Sequence, residues 1–229
     1  MVENGYGLMI ELEYILGYKE EKDNTKRMLF RRIINEHHKY KKYSDYVGRQ
    51  INYFVKKDEK IIGCIGIASG ILALKDRDNY IGWNKEQRLR NLRYIANNYR
   101  FCMIEKGYGS KVLSLLMKQA KYDWQRKFND KLVLLETMVS SGFSKGIVYK
   151  AASWEMVGVT KGITFKSRPS KSLLLKGSKK RSNLVKNNKY EDGNYKYCGK
   201  TQYTQPQKVD PKYIYLKPLY KNWKDILNR

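Results

Sequence analysis

The residue with the strongest individual case for chemistry is Glu136, a carboxylate that follows the apolar segment LVLL. A short continuous apolar segment of this kind is typical of a strand that is buried on both faces. A carboxylate at its end is costly unless it is paired or partly solvated. Glu136 is therefore either the ion-pair partner of an arginine, such as Arg100, or a general base with a shifted pKa.

A second candidate is the glycine-bearing turn KGYGS (106–110), which precedes a long amphipathic segment. Gly107, Gly109 and Ser110 are small, so backbone N–H groups in such a turn can approach a phosphate closely. The positive end of the helix that follows adds to the attraction. The alternative is an ordinary loop in which a glycine adopts a left-handed conformation.

Arginine and asparagine side chains form a third group of candidates, because both suit contacts with the phosphates or base edges of a nucleic acid. Arg77 lies in a dense charged set that a solvated turn would also explain. Trp154 could stack on a base, with a core position as the alternative. The candidates of this group are Arg77, Arg88, Arg90, Asn91, Asn98, Arg100 and Trp154.

The chain is strongly basic, with 47 Lys+Arg against 22 Asp+Glu and a formal net charge of +25 at pH 7. Such an excess repels itself unless a polyanion neutralises it, and nucleic acid gains affinity as each neutralised phosphate releases counterions. Basic residues concentrate after residue 160, around Lys179, Lys180 and Arg181. We therefore predict that DNA is the partner and that these residues contact it.

Two other polyanionic partners fit the charge less well. An anionic membrane surface is disfavoured because no segment has the pattern of a basic amphipathic helix. An RNA-binding or ribosome-associated protein is disfavoured because the charges cluster instead of covering the chain.

Export and metal binding are also disfavoured. No segment approaches the roughly 18 to 20 apolar residues of a transmembrane helix, and the first residues are acidic, the reverse of a secretory signal. Cys64, Cys102 and Cys198 are far apart with no Cys/His cluster, so we expect buried free thiols and no bound metal. The expected location is the reducing cytoplasm, in association with the nucleoid.

Hydrophobic periodicity predicts the elements that position these residues. We expect helices at 5–18, at 26–38, at 84–98 with Asn84 and Gln87 as a capping box, and after KGYGS. We expect strands on both sides of the turn KKDEK (56–60), at 100–104, at 131–139, after the short helix that holds Tyr149, and at 213–219.

The composition changes after Gly162, where Lys, Arg, Ser and Asn dominate and apolar residues become scarce. Such a segment cannot bury a core of its own. We therefore predict a main domain at 1–165, a basic arm or insertion at 166–205, and a C-terminal strand within 206–229 that returns to the main domain.

The order of these elements resembles the core of the GNAT N-acetyltransferases, in which a strand splays from its neighbour and a glycine-bearing turn binds a pyrophosphate. KGYGS matches that turn, although Glu105 replaces the basic residue or glutamine that usually precedes it. VYKAASW (148–154) resembles the family's helix end, where a tyrosine protonates the leaving thiolate, and this position is Tyr149.

The GNAT resemblance implies an α/β (α+β) fold with a mixed sheet flanked by helices, and the composition adds a basic C-terminal extension. The resemblance also implies acetyl-CoA or a related acyl donor bound at Gly107, Gly109 and Ser110.

A closer resemblance covers most of the chain. The segments DRDNYIGWNKEQRLRNLRYIANNYRFCMI, DWQRKF, LLET, YKAASWEMVGVTKG and YIYLKPL resemble the pattern of the Druantia anti-phage protein DruA family. Families of this kind occur in bacterial defence loci and beside transposases, which agrees with the charge. The phage Mom DNA-modification proteins share the helix end at Tyr149–Trp154, and this analogy implies the transfer of a small acyl-type group to a DNA base.

We accordingly predict a DNA-directed transferase of phage defence or of a mobile element, with Glu136 and Tyr149 as its acid–base pair. The alternative is a non-catalytic DNA-binding subunit of a defence or transposition complex, in which Tyr149 only packs against Trp154. The partners implied are DNA and other proteins of such a complex, without a membrane.

Overall fold

The computed structural model describes residues 9–17, 20, 22–38, 48–142, 144–167 and 203–228. The chain forms two compact units, one of Met1–Thr160 with Pro211–Arg229 and one of Lys161–Asp210. The main unit thus ends at 160 and resumes at 211, whereas we expected 165 and 206. The reason is that the strands at 163–167 and 203–208 pair with each other in a separate two-stranded sheet.

The main unit contains both strands and helices. The strands are β1 (Ile10–Ile15), β2 (Gln50–Lys57), β3 (Lys60–Ser69), β4 (Ile95–Met103), β5 (Leu134–Ser140), β6 (Glu155–Val159) and β9 (Lys212–Pro218). The helices are α1 (Thr25–His37), α2 (Lys75–Ile81), α3 (Lys85–Asn91), α4 (Gly109–Phe128), α5 (Ile147–Ala151) and α6 (Trp223–Leu227), with a 3₁₀ turn at Leu92–Tyr94.

The strands of the main unit form one seven-stranded sheet in the order β1-β2-β3-β4-β5-β9-β6. β4 and β5 are parallel, and every other neighbouring pair is antiparallel. The turn between β2 and β3 has positive φ angles at Asp58 and Glu59, as expected for the hairpin at KKDEK. The predicted fold class, a mixed sheet flanked by helices, is confirmed. The segment expected to return to the sheet is β9, which lies between β5 and β6.

Two predicted helices are wrong in whole or in part. The segment 5–18 contains β1, in which Ile10, Leu12 and Ile15 are buried, because IELEYI has largely the two-residue alternation of a strand. The helix expected over 84–98 ends at Asn91, and residues from Ile95 belong to β4, a central strand that is buried on both faces. The capping box of Asn84 and Gln87 is confirmed.

The sheet separates two sets of core residues, and β5 contributes to both. Leu135 packs in a cluster with Trp124 of α4, and we call this side the α4 face. Leu134 packs in a cluster with Ile81 of α2, and we call the other side the α2 face. Consecutive residues of a strand point to opposite faces, so β5 supplies the two sides alternately.

The second unit is described only in its two strands, β7 (Ile163–Ser167) and β8 (Tyr203–Lys208), which pair antiparallel. The predicted basic arm lies mainly at 168–202, outside the described residues. In the part of the chain that is described, no helix has the length and apolar character needed to cross a membrane.

Candidate functional site

The parallel strands β4 and β5 diverge in the middle of the sheet. They pair only where Ile95–Asn97 lies beside Leu134–Glu136, although both strands continue beyond these residues. On its other side β4 stays paired with β3, but Gly66 is opposite Arg100 while Ile67 is opposite Asn98, so Tyr99 is an additional residue. Such a β-bulge bends the strand that carries it. The divergence is the splay that the GNAT resemblance implies.

The hydroxyl of Tyr149 reaches the start of this divergence. α5 places the tyrosine on the α4 face, where its hydroxyl donates to Asn98 Oδ1 at 2.8 Å. The Asn98 amide donates in turn to the carbonyls of Gly66 and Arg100, both at 2.9 Å, and so holds the two strands at the bulge. Thr137 Oγ1 of β5 donates to the Asn98 carbonyl at 3.0 Å.

Tyr149 is enclosed by aromatic rings. Its ring lies 5.1 Å from that of Trp154, 5.9 Å from that of Tyr215 and 6.1 Å from that of Phe101. Burial raises the pKa of Tyr149 to about 12, with a smaller opposing effect from Thr137. The phenol is therefore protonated at neutral pH and is a proton donor rather than a base.

The glycine turn precedes α4, a helix of 20 residues whose first turn contains no acidic residue. Gly107 has a φ of +92° and open space where a Cβ would be. Gly109 is tightly packed, because a Cβ there would overlap Val148 of α5 and touch Phe101 Cζ at 3.6 Å. The Ser110 carbonyl accepts a hydrogen bond from Ser114 Oγ at 3.0 Å.

Glu105, at the start of this turn, points to the lysines of the β2–β3 hairpin. Its carboxylate lies 2.8 Å from Lys60 Nζ and 3.5 Å from Lys57 Nζ. The hydrogen bond from Lys60 and the attraction of both ammonium groups lower the pKa of Glu105 against a smaller opposing effect of desolvation. Its negative charge is therefore balanced locally.

Glu136 belongs to a buried cluster of charged residues on the α2 face. Arg77 Nη1 donates to Glu136 Oε2 at 2.8 Å, and the Ile71 N–H donates to Oε1 at 2.5 Å. Nε and Nη2 of Arg77 donate to Asp78 Oδ1 at 2.9 and 2.7 Å, and Arg88 Nη1 donates to Oδ2 at 3.1 Å. The ion-pair partner of Glu136 is thus Arg77 and not Arg100.

The Arg77–Glu136 pair at the centre of this cluster is closed to solvent. The side chains of Arg77 and Glu136 are both 0% exposed. Burial raises the pKa of Glu136, and the Arg77 charge and the Ile71 N–H oppose that shift. Both carboxylate oxygens already accept a hydrogen bond, one from the Ile71 N–H and one from Arg77, and these bonds hold the side chain in place.

Glu136 and Tyr149 do not meet. Glu136 follows Leu135 in β5, and its neighbour in β9 is Leu216, which packs on the α2 face. Tyr149 packs with Leu135 and Tyr215 on the α4 face. We expected both side chains in one cleft, but the alternation of β5 puts them on opposite sides of the sheet.

Five of the seven predicted nucleic-acid contacts that lie within the described residues are buried. The side-chain amide of Asn91 donates a hydrogen bond to the Leu227 carbonyl at 2.8 Å. Arg88 is partly exposed and Arg90 is exposed. The buried members of the set are Arg77, Asn91, Asn98, Arg100 and Trp154. Lys179, Lys180 and Arg181 lie outside the described residues.

Asn98 was predicted as a nucleic-acid contact, and its position at the divergence as the acceptor for Tyr149 was not predicted. The available signal was an asparagine pair, Asn97 and Asn98, inside a segment that continues into RFCMI. Two adjacent amides in a buried strand need partners on both faces.

Within the described part of the chain, no group of three or more His, Cys, Asp or Glu side chains is placed to hold a metal.

The fold and the diverging strands define the class of this protein, an α/β protein with a GNAT-like core. The family model described as Druantia protein DruA matches residues 15–167, which is more than half of the chain. The chain belongs to the DruA family. Among curated proteins, none matches the chain.

Several solved structures are similar to the chain over most of its length. A Bacillus subtilis acetyltransferase in complex with CoA has 10% identity and a TM-score of 0.44, covering 92% of this chain and 100% of that chain. FeeM, an N-acyl amino acid synthase from uncultured soil microbes, has 11% identity and a TM-score of 0.46, covering 95% and 94%. The aminoglycoside acetyltransferase AAC(6')-Ib in complex with coenzyme A has 11% identity and a TM-score of 0.47, covering 94% and 98%.

Proposed function

We propose that the chain is a DNA-directed phage-defence protein whose GNAT-like core transfers a small acyl-type group to a DNA base. One observation carries the proposal. Beyond Asn97, the edge of β4 that faces β5 has no strand partner among the described residues, and the Tyr149 hydroxyl lies at the start of that free edge. A free strand edge can accept an extended ligand through its backbone groups.

An acyl donor of the coenzyme A type fits the residues at this end of β4. Gly107 is open, the first turn of α4 lacks acidic residues, and Lys57 and Lys60 offset the charge of Glu105. The backbone N–H groups of Gly107, Gly109 and Ser110 would hold its phosphates at the positive end of α4. When bound, such a donor supplies an activated acyl thioester.

In this proposal Tyr149 is the proton donor. Its pKa of about 12 keeps the hydroxyl protonated at neutral pH, and Asn98 fixes its position. Tyr149 would release its bond to Asn98 and give its proton to the thiolate that leaves when the acyl group is transferred, and the phenolate would take up the proton that the acylated amino group of the base loses. Glu136 has a structural role instead, because its ion pair with Arg77 occupies the opposite face.

DNA is proposed as the substrate because of charge. A formal net charge of +25 strongly favours a polyanion. The segment around Lys179, Lys180 and Arg181 would contact phosphates, so deleting residues 168–200 should weaken DNA binding and flatten its dependence on salt concentration. An unchanged salt slope would contradict this role of the segment.

The second candidate function is a non-catalytic DNA-binding subunit of a defence or transposition complex. The observation in its favour is the packing of Val148 against Gly109, which leaves no space for a side chain at that residue. A protein that no longer binds a donor could tolerate such packing at the start of α4.

Mass spectrometry of nucleosides decides between the two functions. DNA from cells that express the chain with its defence locus should contain a modified nucleoside that is missing when Tyr149→Phe replaces the wild type. Acetyl-CoA should also raise the melting temperature of the purified wild-type protein, because a ligand that binds only the folded state stabilises it. Unmodified DNA together with no stabilisation by acyl-CoA compounds would favour the binding subunit.

A further inference from the structure

A cavity of about 300 Å³ lies on the surface of the main unit between α2 and α3, away from Tyr149. Leu74 and Trp83 form its apolar part. Its cationic lining consists of Lys75, Lys85 and Arg88. Pockets for small ligands have volumes of about 300–1,000 Å³. This cavity is at the lower end of that range, so it suits one small chemical group of a larger ligand.

The lining has an excess of positive charge. Asp78 is the acidic residue of the lining, and both of its oxygens already accept hydrogen bonds from Arg77 and Arg88. Arg77 is offset further by Glu136, so two carboxylates balance two guanidinium groups. Lys75 and Lys85 add two charges, and the described residues place no carboxylate within 4.0 Å of either ammonium group.

Arg88, which lines the cavity, also has a hydrogen-bond donor without a partner. Its Nε is buried and has no hydrogen-bond partner among the described residues, although Nη1 is bonded to Asp78. A buried donor without an acceptor is costly, and such groups are rare in native proteins. The Arg88 side chain is 21% exposed, so a small shift of it would let a ligand in the cavity supply the missing acceptor.

We propose that this cavity is a phosphate-binding site. A phosphate group offers several strong acceptor oxygens, and guanidinium and ammonium groups bind it through charge-assisted hydrogen bonds. Arg88 contacts it from the wall of the cavity, and Lys75 and Lys85 contact it from the exposed rim. The phosphate belongs to a polynucleotide backbone or to a free nucleotide, which have this chemistry in common.

The site goes beyond the proposed transferase and is independent of it, because the cavity is lined by α2 and α3 and not by α4 or α5. Loss of the phosphate site leaves acyl-CoA stabilisation and the role of Tyr149 unaffected. Failure of the transferase proposal leaves phosphate binding unaffected.

The test uses the full chain and titrates inorganic phosphate, a mononucleotide and a short single-stranded DNA at constant ionic strength. Lys85→Gln removes a rim charge without disturbing the buried ion pairs. Arg88→Lys keeps a cation for Asp78 but removes Nε. Lys118→Gln, on an exposed part of α4, is the control for a change of net charge.

Each of the two cavity variants should weaken phosphate binding about tenfold, as expected for the loss of one hydrogen bond to a charged group, and the control should not. If binding of the DNA weakens in parallel, the phosphate comes from a polynucleotide; if only the mononucleotide and phosphate are affected, it comes from a free nucleotide. The proposal is overturned if no phosphate compound binds saturably, or if Lys118→Gln weakens binding as much as Lys85→Gln.

Discussion

Two neighbouring residues of β5, Glu136 and Thr137, lie in different chemical environments because they point to opposite faces of the sheet. On the α2 face, Glu136 is bound by Arg77 and the Ile71 N–H, and the side chains of Glu136 and Arg77 are fully buried. On the α4 face, Thr137 and Tyr149 share Asn98 as a hydrogen-bond partner at the point where β4 and β5 diverge.

The difference between the faces shows what burial requires of a polar group. Buried charges must be paired completely, which leaves few atoms for a reaction. A neutral phenol can be buried with one hydrogen bond, and its proton becomes available for transfer when that bond is released. We therefore propose a structural role for the α2 face at Glu136 and a chemical role for the α4 face at Tyr149.

The largest expected loss of unfolding free energy comes from a change on the α2 face. Glu136→Gln leaves the fully buried Arg77 with one carboxylate fewer, and breaking a buried ion pair in this way costs about 3–5 kcal/mol of unfolding free energy. Urea denaturation measures this loss. Glu11→Gln, the same change at an exposed position of β1, should have almost no effect. A loss as small as that of the control would contradict the structural role of Glu136.

A smaller effect is expected on the α4 face at Gly109. Gly109→Ala inserts a methyl group against Val148, and overpacking of this kind costs about 1–3 kcal/mol. Adding Val148→Ala should recover part of the loss, because the two side chains are in contact. Gly107→Ala is the matched variant, strained by its φ of +92° but in open space, and Val148→Ala should not rescue it. Equal rescue of both glycine variants would refute the contact.

Removing the Tyr149 hydroxyl should lower the unfolding free energy by less than either of these changes. Tyr149→Phe keeps the ring among its aromatic neighbours and loses the hydrogen bond to Asn98, for about 0.5–1.5 kcal/mol. Chemical denaturation at neutral pH gives the value. A loss comparable to that of Glu136→Gln would remove the contrast between the two faces.

The smallest change in stability is expected for Glu105→Gln, and it depends on pH. Its pKa is lowered in the folded state, so its ion pairs with Lys57 and Lys60 stabilise the fold above the pKa of the unfolded chain. That contribution is lost as the pH falls through the lowered pKa. Glu105→Gln should thus reduce the melting temperature slightly at pH 7 and match the wild type in acid. A reduction that is the same at both pH values would contradict these ion pairs.

Local signals in the sequence predicted the parts of the fold that depend on nearby residues. Asn84 and Gln87 form their capping box within one helical turn, and α4 follows from its own apolar spacing. The same approach failed at β1, because a short segment with apolar residues at Ile10, Leu12 and Ile15 fits a helix as well when the partner strand is unknown.

The candidate site was predicted in its members but not in its geometry. Glu136 was expected to be either paired or catalytic, and its partner Arg77 lies 59 positions away in the chain. Which arginine reaches it depends on how α2 packs on the sheet, which no local pattern contains. The face on which each residue lies depends in the same way on the register of β5.

The most direct test of the contrast between the faces is protection against phage in cells that carry the defence locus. Glu136→Gln and Tyr149→Phe are compared at equal amounts of folded protein, measured in the same cells. We predict that Tyr149→Phe is folded but gives no protection, whereas Glu136→Gln protects in proportion to its folded fraction. Full protection by folded Tyr149→Phe, or none by folded Glu136→Gln, would contradict the assignment of chemistry to the α4 face.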